Sequence, residues 1–437
     1  MQSNPKQIGL VTATSLVVGN MIASGLFMLP ATLGIYGAIS LVGWVISGAG
    51  AMCLALVYSW LSKLKPIATG GPYAYTREGM GDFAAFLVAW GYWISIWCTN
   101  AAIAVAFVSY LTTFFPALSN NPFLSVATGL SAIWFLTWIN TKGIREAGMV
   151  QVITTVLKLA PLLLITIGGL FYLNTSHFVP FNLSSQSNLS AITSTTTLTL
   201  FAFLGLECAT IPSGNVKDPE KTISRATIIG TLLTTFIYIA GTVAVMGLIP
   251  PATLHQSQAP FADAAASIWG EGARYLVAGG AVVSTFGALN GWILIQGQMP
   301  FAAARDHLFP KIFAKENKNG TPVVGILVSS VLVSFLMSMN FSKSLANTYT
   351  FALLLSTLTS LVAYLFSVIS FVMIESRQHG MSLRTNGGKM LVALLAFLYS
   401  MWAVIGSGQE TVYWGFILLM AGLPFYVWIQ VTQKQKK

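Results

Sequence analysis

Charge is what this sequence has least of. Charged residues make up 8% of its 437 positions, against about 25% in an average soluble domain. With 55% of the residues hydrophobic and a mean hydropathy of +0.73, a soluble globular fold is excluded and a polytopic membrane protein remains. Cysteine is equally scarce. Cys53, Cys98 and Cys208 lie in apolar stretches at unrelated spacings, so they form neither a disulfide framework nor a metal motif, and each reads as a small buried hydrophobe. The four histidines, His177, His255, His307 and His379, fall in expected loops or at span edges without metal-ligand spacing. A membrane-embedded enzyme is thus left without a catalytic set, and no cofactor or metal is expected. The opening MQSNPKQ is too short and too weakly basic for a cleavable signal, and the apolar run after it is too long for a signal core. No charged or low-complexity tail marks a second domain.

What the sequence does have is apolar runs long enough for spans of about 20 residues each. They fall near 8–34, 38–61, 83–115, 122–140, 149–172, 190–215, 226–249, 274–304, 322–340, 346–374, 388–407 and 411–432, which makes one transmembrane domain of twelve spans over 1–437. The net charge of +10 does not signal a nucleic acid, because of where the basic residues lie. With loops alternating between two sides, every Lys and Arg falls on one side except Arg274 and Lys343 on the other and Lys158 inside a span. This is the positive-inside asymmetry of a multi-pass inner-membrane protein with both termini cytoplasmic. The segment GGPYAYTREGMGDF (70–83) reads as an amphipathic piece on the cytoplasmic face, and the polar segments 173–190 and 250–275 as caps over an outward vestibule.

Two spans are interrupted by composition. The first carries GNMIASG (19–25), and the sixth reads LFAFLGLECATIPSGNVKDP (200–219). They occupy matched places if spans 1–5 and 6–10 are two halves, and an odd number of spans per half inverts the second copy. Inside lipid, every backbone polar group must be satisfied within the protein or line a cavity. Freed amides at the start of a half-helix favour a carboxylate, and freed carbonyls favour an ammonium, so one break suits both ends of an α-amino acid. The alternative is that the small residues only let helices pack closely; the second break at the matched span favours binding. Glu207 is the only acidic residue placed within a span. It is a functional-site hypothesis by default, read as the proton-responsive group unless it merely bonds its own broken backbone. Lys158, in VLKLAPLLL (156–164), either pairs with freed carbonyls of span one or carries a proton, and its mid-span position disfavours snorkelling.

The stretches GNMIASGLFMLPATL, GGPYAY, YWISIWCTN, LTLFAFLGLE, VKDPEKTISRAT, FGALNGWILIQGQ, HLFPKIFAKENKNGTP and WAVIGSG, in this order and spacing, resemble the amino acid–polyamine–organocation (APC) superfamily. Within it the chain is most similar to the basic amino acid/polyamine antiporters, and among these to arginine/agmatine exchangers. The match runs from about residue 8 to 430. The resemblance implies an all-α integral membrane fold of twelve transmembrane helices, with helices 1 and 6 broken. It implies a five-plus-five inverted repeat (about 8–172 and 190–374), two extra helices (about 388–432) and a homodimer in the lipid bilayer. It also implies alternating-access exchange of two small molecules, a cationic amino acid and its decarboxylated amine.

By position, the resemblance implies that Ser24 and Gly25 hold the substrate carboxylate, and that carbonyls near Met21, Phe201 and Leu204 take the α-ammonium. Trp292 stacks on the cationic side-chain end, as a Trp face attracts such a group. Asn100 and Ser356 hydrogen-bond that end. From the residues alone, a mid-span Asn equally bonds another helix, and Ser356 and Ser360, four apart, equally bond their own backbone. Tyr92 closes an outer gate with Phe201, Tyr364 serves an inner gate, and Glu207 senses protons. Three positions depart from the arginine/agmatine pattern. Ala23 stands in place of glycine, Phe201 in place of tryptophan, and Lys158 is a residue those exchangers lack and many other amino acid permeases possess. Lys158 therefore opens a second reading, a proton-coupled amino acid importer. A channel is the third, and two matched breaks fit alternating access better than a permanent pore.

Overall fold

A computed structural model of the protein describes residues 9–66, 70–142, 162–211, 213, 216–339, 344–379 and 383–434. Lys158 lies outside the described residues. No β-strand occurs among them. A helix satisfies its own amides and carbonyls, whereas an open sheet edge in lipid leaves them bare.

The first span is two helices, α1 (Leu10–Met21) and α2 (Ser24–Gly34). Then come α3 (Ser40–Leu64), the short α4 (Pro72–Met80), α5 (Asp82–Leu111), α6 (Pro122–Lys142) and α7 (Leu162–Tyr172). The sixth span opens as α8 (Asn188–Leu200), followed by α9 (Pro219–Leu248) and the short α10 (Pro251–Gln256) and α11 (Pro260–Trp269). The remainder is α12 (Glu271–Arg305), α13 (Val323–Met339), α14 (Leu345–His379), α15 (Leu383–Gly406), α16 (Gln409–Met420) and α17 (Leu423–Lys434). Proline opens α4, α9, α10 and α11, where its missing N–H forfeits no bond and its fixed φ suits the first turn.

Among the described residues, ten stretches are long and apolar enough to cross a membrane, and two shorter apolar helices, α7 and α13, fall in two further expected spans. The boundaries shift for local reasons. The third expected span, 83–115, ends as a helix at Leu111, where the Thr112 hydroxyl turns back onto the Ser109 carbonyl (2.6 Å). The last, 411–432, divides into α16 and α17. Just before that division the Trp90 indole N–H donates to the Leu418 carbonyl (2.8 Å).

The perimeter of the molecule is apolar, and its interior sets polar side chains among a hydrophobic core. Ile405, Phe236 and Phe335 are 74%, 70% and 63% exposed, a perimeter suited to lipid, while Thr195, Thr199, Ser356 and Thr357 are buried. The broken first span and α5 are central: 89% of the most apolar stretch of each is buried, against 17% for the final span. α1, α3, α8 and α9 pack together as one group, and α5, α12, α13 and α14 as another. At one end α4 is tied to both groups. The Tyr73 hydroxyl donates to Asp306 (2.9 Å), Arg77 bridges Asp82 (2.7 Å), and Lys65 pairs with Glu78 (2.7 Å). Burial, and then the Asp306 carboxylate, push the Tyr73 phenol up, so it stays a donor.

Candidate functional site

The first break is two residues long. Ile22 (φ −74°, ψ 75°) lies at the inverse γ-turn minimum, and the Ala23 amide donates to the Met21 carbonyl two residues back (2.8 Å). The Ile22 amide still bonds Val18 (2.8 Å), so α1 keeps its ladder to the edge of the gap. α2 then begins at Ser24 with no side-chain cap. Its first-turn amides have no intrahelical acceptors and form the positive end of the helix dipole.

The second break is extended. α8 passes into a 3₁₀ turn at Phe201–Phe203, Leu204 is extended (φ −61°, ψ 131°), and Gly205 takes φ +104°. A second 3₁₀ turn follows at Cys208–Thr210. Local bonds replace the α ladder: Leu204 to Phe201 (3.1 Å), Cys208 to Gly205 (3.0 Å) and Thr210 to Glu207 (2.8 Å), each amide onto a carbonyl three back. Gly205 serves twice, because φ +104° disfavours an L side chain and a Cβ there would stand 3.2 Å from that of Asn20. The breaks touch again where a Cβ on Gly25 would stand 3.0 Å from that of Ala202.

Between them lies a cavity of about 10 Å³ lined by Asn20, Met21, Ala23, Gly25, Thr99, Phe201, Ala202, Leu204 and Trp292. That is space for about one water, so an amino acid enters only if the walls move. Trp292 is 2% exposed and its indole N–H donates to the Asn20 carbonyl (3.4 Å), which fixes the ring against the first break. A second cavity of about 550 Å³ reaches Met28, Tyr36, Leu198, His255, Phe351 and Glu410. Phe201 belongs to the small cavity and meets Tyr349 edge-on (centroids 6.2 Å, 86°). Tyr349 in turn stands on α14 between residues of the large cavity, Asn347 and Thr350.

Of the residues expected to bind, Met21, Gly25, Phe201, Leu204 and Trp292 come together on this cavity. Ser24 is fully buried beside it, between the cavity-lining Ala23 and Gly25. Asn100 and Ser356 are committed elsewhere. The Asn100 amide donates to Gln296 (2.7 Å), which donates on to Ser330 (2.8 Å), so Asn100 bonds another helix as its mid-span position alone allows. The Ser356 hydroxyl pairs with Thr99 (2.6 Å) and donates to the Ser95 carbonyl (3.0 Å). It is Thr99, one position before Asn100, that lines the cavity.

Tyr92 needs the clearest correction. The resemblance grouped it with Phe201, whereas its hydroxyl donates to Glu207 Oε1 (2.6 Å) while Tyr364 donates to Glu207 Oε2 (3.0 Å). Tyr364 lies on the same helix as Tyr349, the ring partner of Phe201, and about 22 Å further along it at 1.5 Å per residue. Tyr92 therefore belongs to the far end of the site from Phe201. Glu207 is 1% exposed, gripped through both oxygens, and Tyr58 packs edge-on against Tyr364 beyond it (6.1 Å, 73°).

Sequence reasoning missed Asn20, Thr99, Ala202 and Gln296. Asn20 sits inside the interrupted motif, and Thr99 shares a helix face with Ser95, four residues back; those are the signals that mark them. Gln296 carries none, since only the crossing of α5 and α12 brings it to Asn100.

Two interrupted spans closing on one buried cavity in an all-helical apolar bundle define a secondary transporter. The chain belongs to the amino acid permease family of the APC superfamily, whose family model matches residues 8–429, as the resemblance implied; it is a transporter and not an enzyme. It is 33% identical to a cadaverine/lysine antiporter of Escherichia coli (strain K12), over 97% of this chain and 95% of that one. It is 29% identical to an arginine/ornithine antiporter of Pseudomonas aeruginosa (94% and 88% covered) and 30% identical to an arginine/agmatine antiporter of Chlamydia pneumoniae (97% and 90% covered).

Proposed function

We propose that the protein is an antiporter that exchanges a cationic, arginine-like amino acid for its decarboxylated, agmatine-like amine by alternating access. The observation that carries this reading is the single cavity bounded by both helix breaks and by Trp292. The α2 amides with Ser24 and Gly25 take the carboxylate, the carbonyls near Met21, Phe201 and Leu204 take the α-ammonium, and Trp292 takes the cationic end. Asn100 and Ser356 act on that end through Thr99 and the α5 backbone, or after rearrangement. The group α1, α3, α8 and α9 rocks against α5, α12 and α13. Phe201 with Trp292 occludes the ligand on the side of the large cavity, and Tyr92, Glu207 and Tyr364 close the other side, with Glu207 sensing protons. The wider architecture is twelve spans in a five-plus-five inverted repeat with two extra helices. It forms a homodimer of the inner membrane with cytoplasmic termini. Each relative's name includes a cationic amino acid, lysine or arginine, while its partner is an amine in two and the amino acid ornithine in the third, which supports the class of substrate more than the pair. A singly charged amino acid entering as a doubly charged amine leaves exports one positive charge per turn.

Counterflow in proteoliposomes tests this. Vesicles loaded with agmatine or cadaverine should take up labelled arginine or lysine, and unloaded vesicles should not. Trp292→Leu should abolish that uptake, and unchanged transport would remove Trp292 from the pocket. Uptake into unloaded vesicles driven by a proton gradient would replace strict exchange with the Lys158-coupled import reading.

A further inference from the structure

The cavity of about 550 Å³ is within the range of small-molecule sites, about 300–1,000 Å³, whereas the one between the breaks holds about one water. Its walls come from α2, α8, the start of α14 and the turn between α15 and α16. That turn is held in place by α8. The Thr197 hydroxyl donates to the Ala403 carbonyl (2.9 Å), and the Trp402 indole N–H donates to the Thr193 hydroxyl (3.1 Å). The end of α15 therefore lies against α8, and α16 starts three residues later. Glu410, in the first turn of α16, is on the cavity wall.

Among the described residues, no lysine, arginine or second carboxylate lines this cavity. Asn347 and Thr350 are neutral, Tyr36 and Phe351 are aromatic, and His255 completes the titratable lining. A carboxylate in a recess with low-dielectric walls focuses its field and raises the local concentration of cations. Aromatic faces in the same wall suit an ammonium or guanidinium group. A first-turn glutamate also complements the dipole of its own helix, but that role acts on stability and leaves substrate affinity alone.

The cavity also leads to the gate. Tyr349 stands between the lining residues Asn347 and Thr350 and meets Phe201 edge-on, and Phe201 walls the small cavity. With cytoplasmic termini, the turn before the last span faces outward. A molecule arriving from outside thus reaches a roomy recess with a carboxylate before it reaches a closed one.

We infer that the large cavity is a second, outward binding site for the ammonium or guanidinium end of the substrate, with Glu410 as its counter-charge, occupied before Phe201 opens. This deepens the proposed exchange and rests on it. Cationic amino acids are favoured over neutral ones at entry, ahead of any contact with Trp292, and from one side of the membrane only.

The test measures cadaverine-driven uptake of labelled lysine into intact cells and into inverted membrane vesicles, with arginine and agmatine in parallel. It compares the unaltered full-length protein with Glu410→Gln and Glu410→Asp. From outside, Glu410→Gln should raise KM about three- to fivefold, the scale of one exposed charge pair, with the maximal rate kept. KM in the unaltered protein should rise with ionic strength, and Glu410→Gln should flatten that dependence. Inhibition by outside norleucine, which lacks the second cation, should not change, and Glu410→Asp should keep most of the affinity. From the cytoplasmic side KM should not change. An unchanged outside KM, or an equal rise from both sides, overturns the inference. So does a lowered thermal midpoint with KM intact, which is the signature of a helix-dipole role. If the unaltered protein shows no exchange in either orientation, the exchange reading fails and takes the inference with it, a result seen before any variant is made.

Discussion

The two breaks solve the same problem in opposite ways. In the first span the chain steps from one helix to the next across Ile22 and Ala23, and full α-helix resumes at Ser24. In the sixth, ten residues from Phe201 to Thr210 run as two 3₁₀ turns joined through an extended Leu204 and a left-handed Gly205. A sharp break leaves a whole helix terminus facing the cavity, with its dipole and unbonded amides intact. A long one satisfies most of its own backbone through bonds three residues apart, a weaker geometry that deforms readily. The first break is thus built to hold a charged group in place. The second is built to move, and it carries both Phe201 and the doubly gripped Glu207.

This contrast can be broken at single atoms. The largest effect is expected from Gly205→Ala, which forces a side chain to φ +104° at about 1–3 kcal/mol and presses its Cβ toward Asn20 at 3.2 Å. Transport should be lost and the thermal unfolding midpoint in detergent should fall; a normally active protein would show that the second break adopts another backbone. Gly25→Ala is expected to act next. It keeps an ordinary helical φ but sets two methyl carbons 3.0 Å apart, an overpacking of about 1–3 kcal/mol. Here the rate of exchange should drop more than the midpoint, because the contact opposes closure of the breaks; equal effects on both would place the clash in the resting fold alone. The smallest effect belongs to Ala23→Gly. Ala23 holds a negative φ of −113°, so introducing glycine should change stability by about 0.4–1 kcal/mol through the unfolded chain. Exchange should stay within a few-fold, and a large gain in rate would mean that the Ala23 methyl narrows the pocket.

The site was readable where chemistry is written into neighbouring residues. GNMIASG and the stretch around Glu207 are conspicuous because glycine, asparagine and glutamate have no cheap place in lipid-embedded helix. Five of the eight residues expected to bind meet on one cavity. Ser24 is buried beside it, whereas Asn100 and Ser356, and with them the gate residue Tyr92, sit elsewhere, and for one reason: a polar side chain in the membrane bonds the nearest available partner. For these three the partners are Gln296, Thr99 and Glu207, which are remote in sequence or equally plausible for other neighbours.

The amino-acid sequence by itself determined that this protein spans a membrane many times, which spans are interrupted, and which family the chain belongs to. Those follow from apolar length, from backbone that cannot be left unbonded in lipid, and from the order of short motifs. Only the tertiary structure decided that one break is two residues and the other at least ten, that Tyr92 joins Tyr364 on Glu207, and that Thr99 rather than Asn100 lines the cavity. Those depend on which helix faces meet, and the spacing of residues along one helix does not specify the neighbour it packs against.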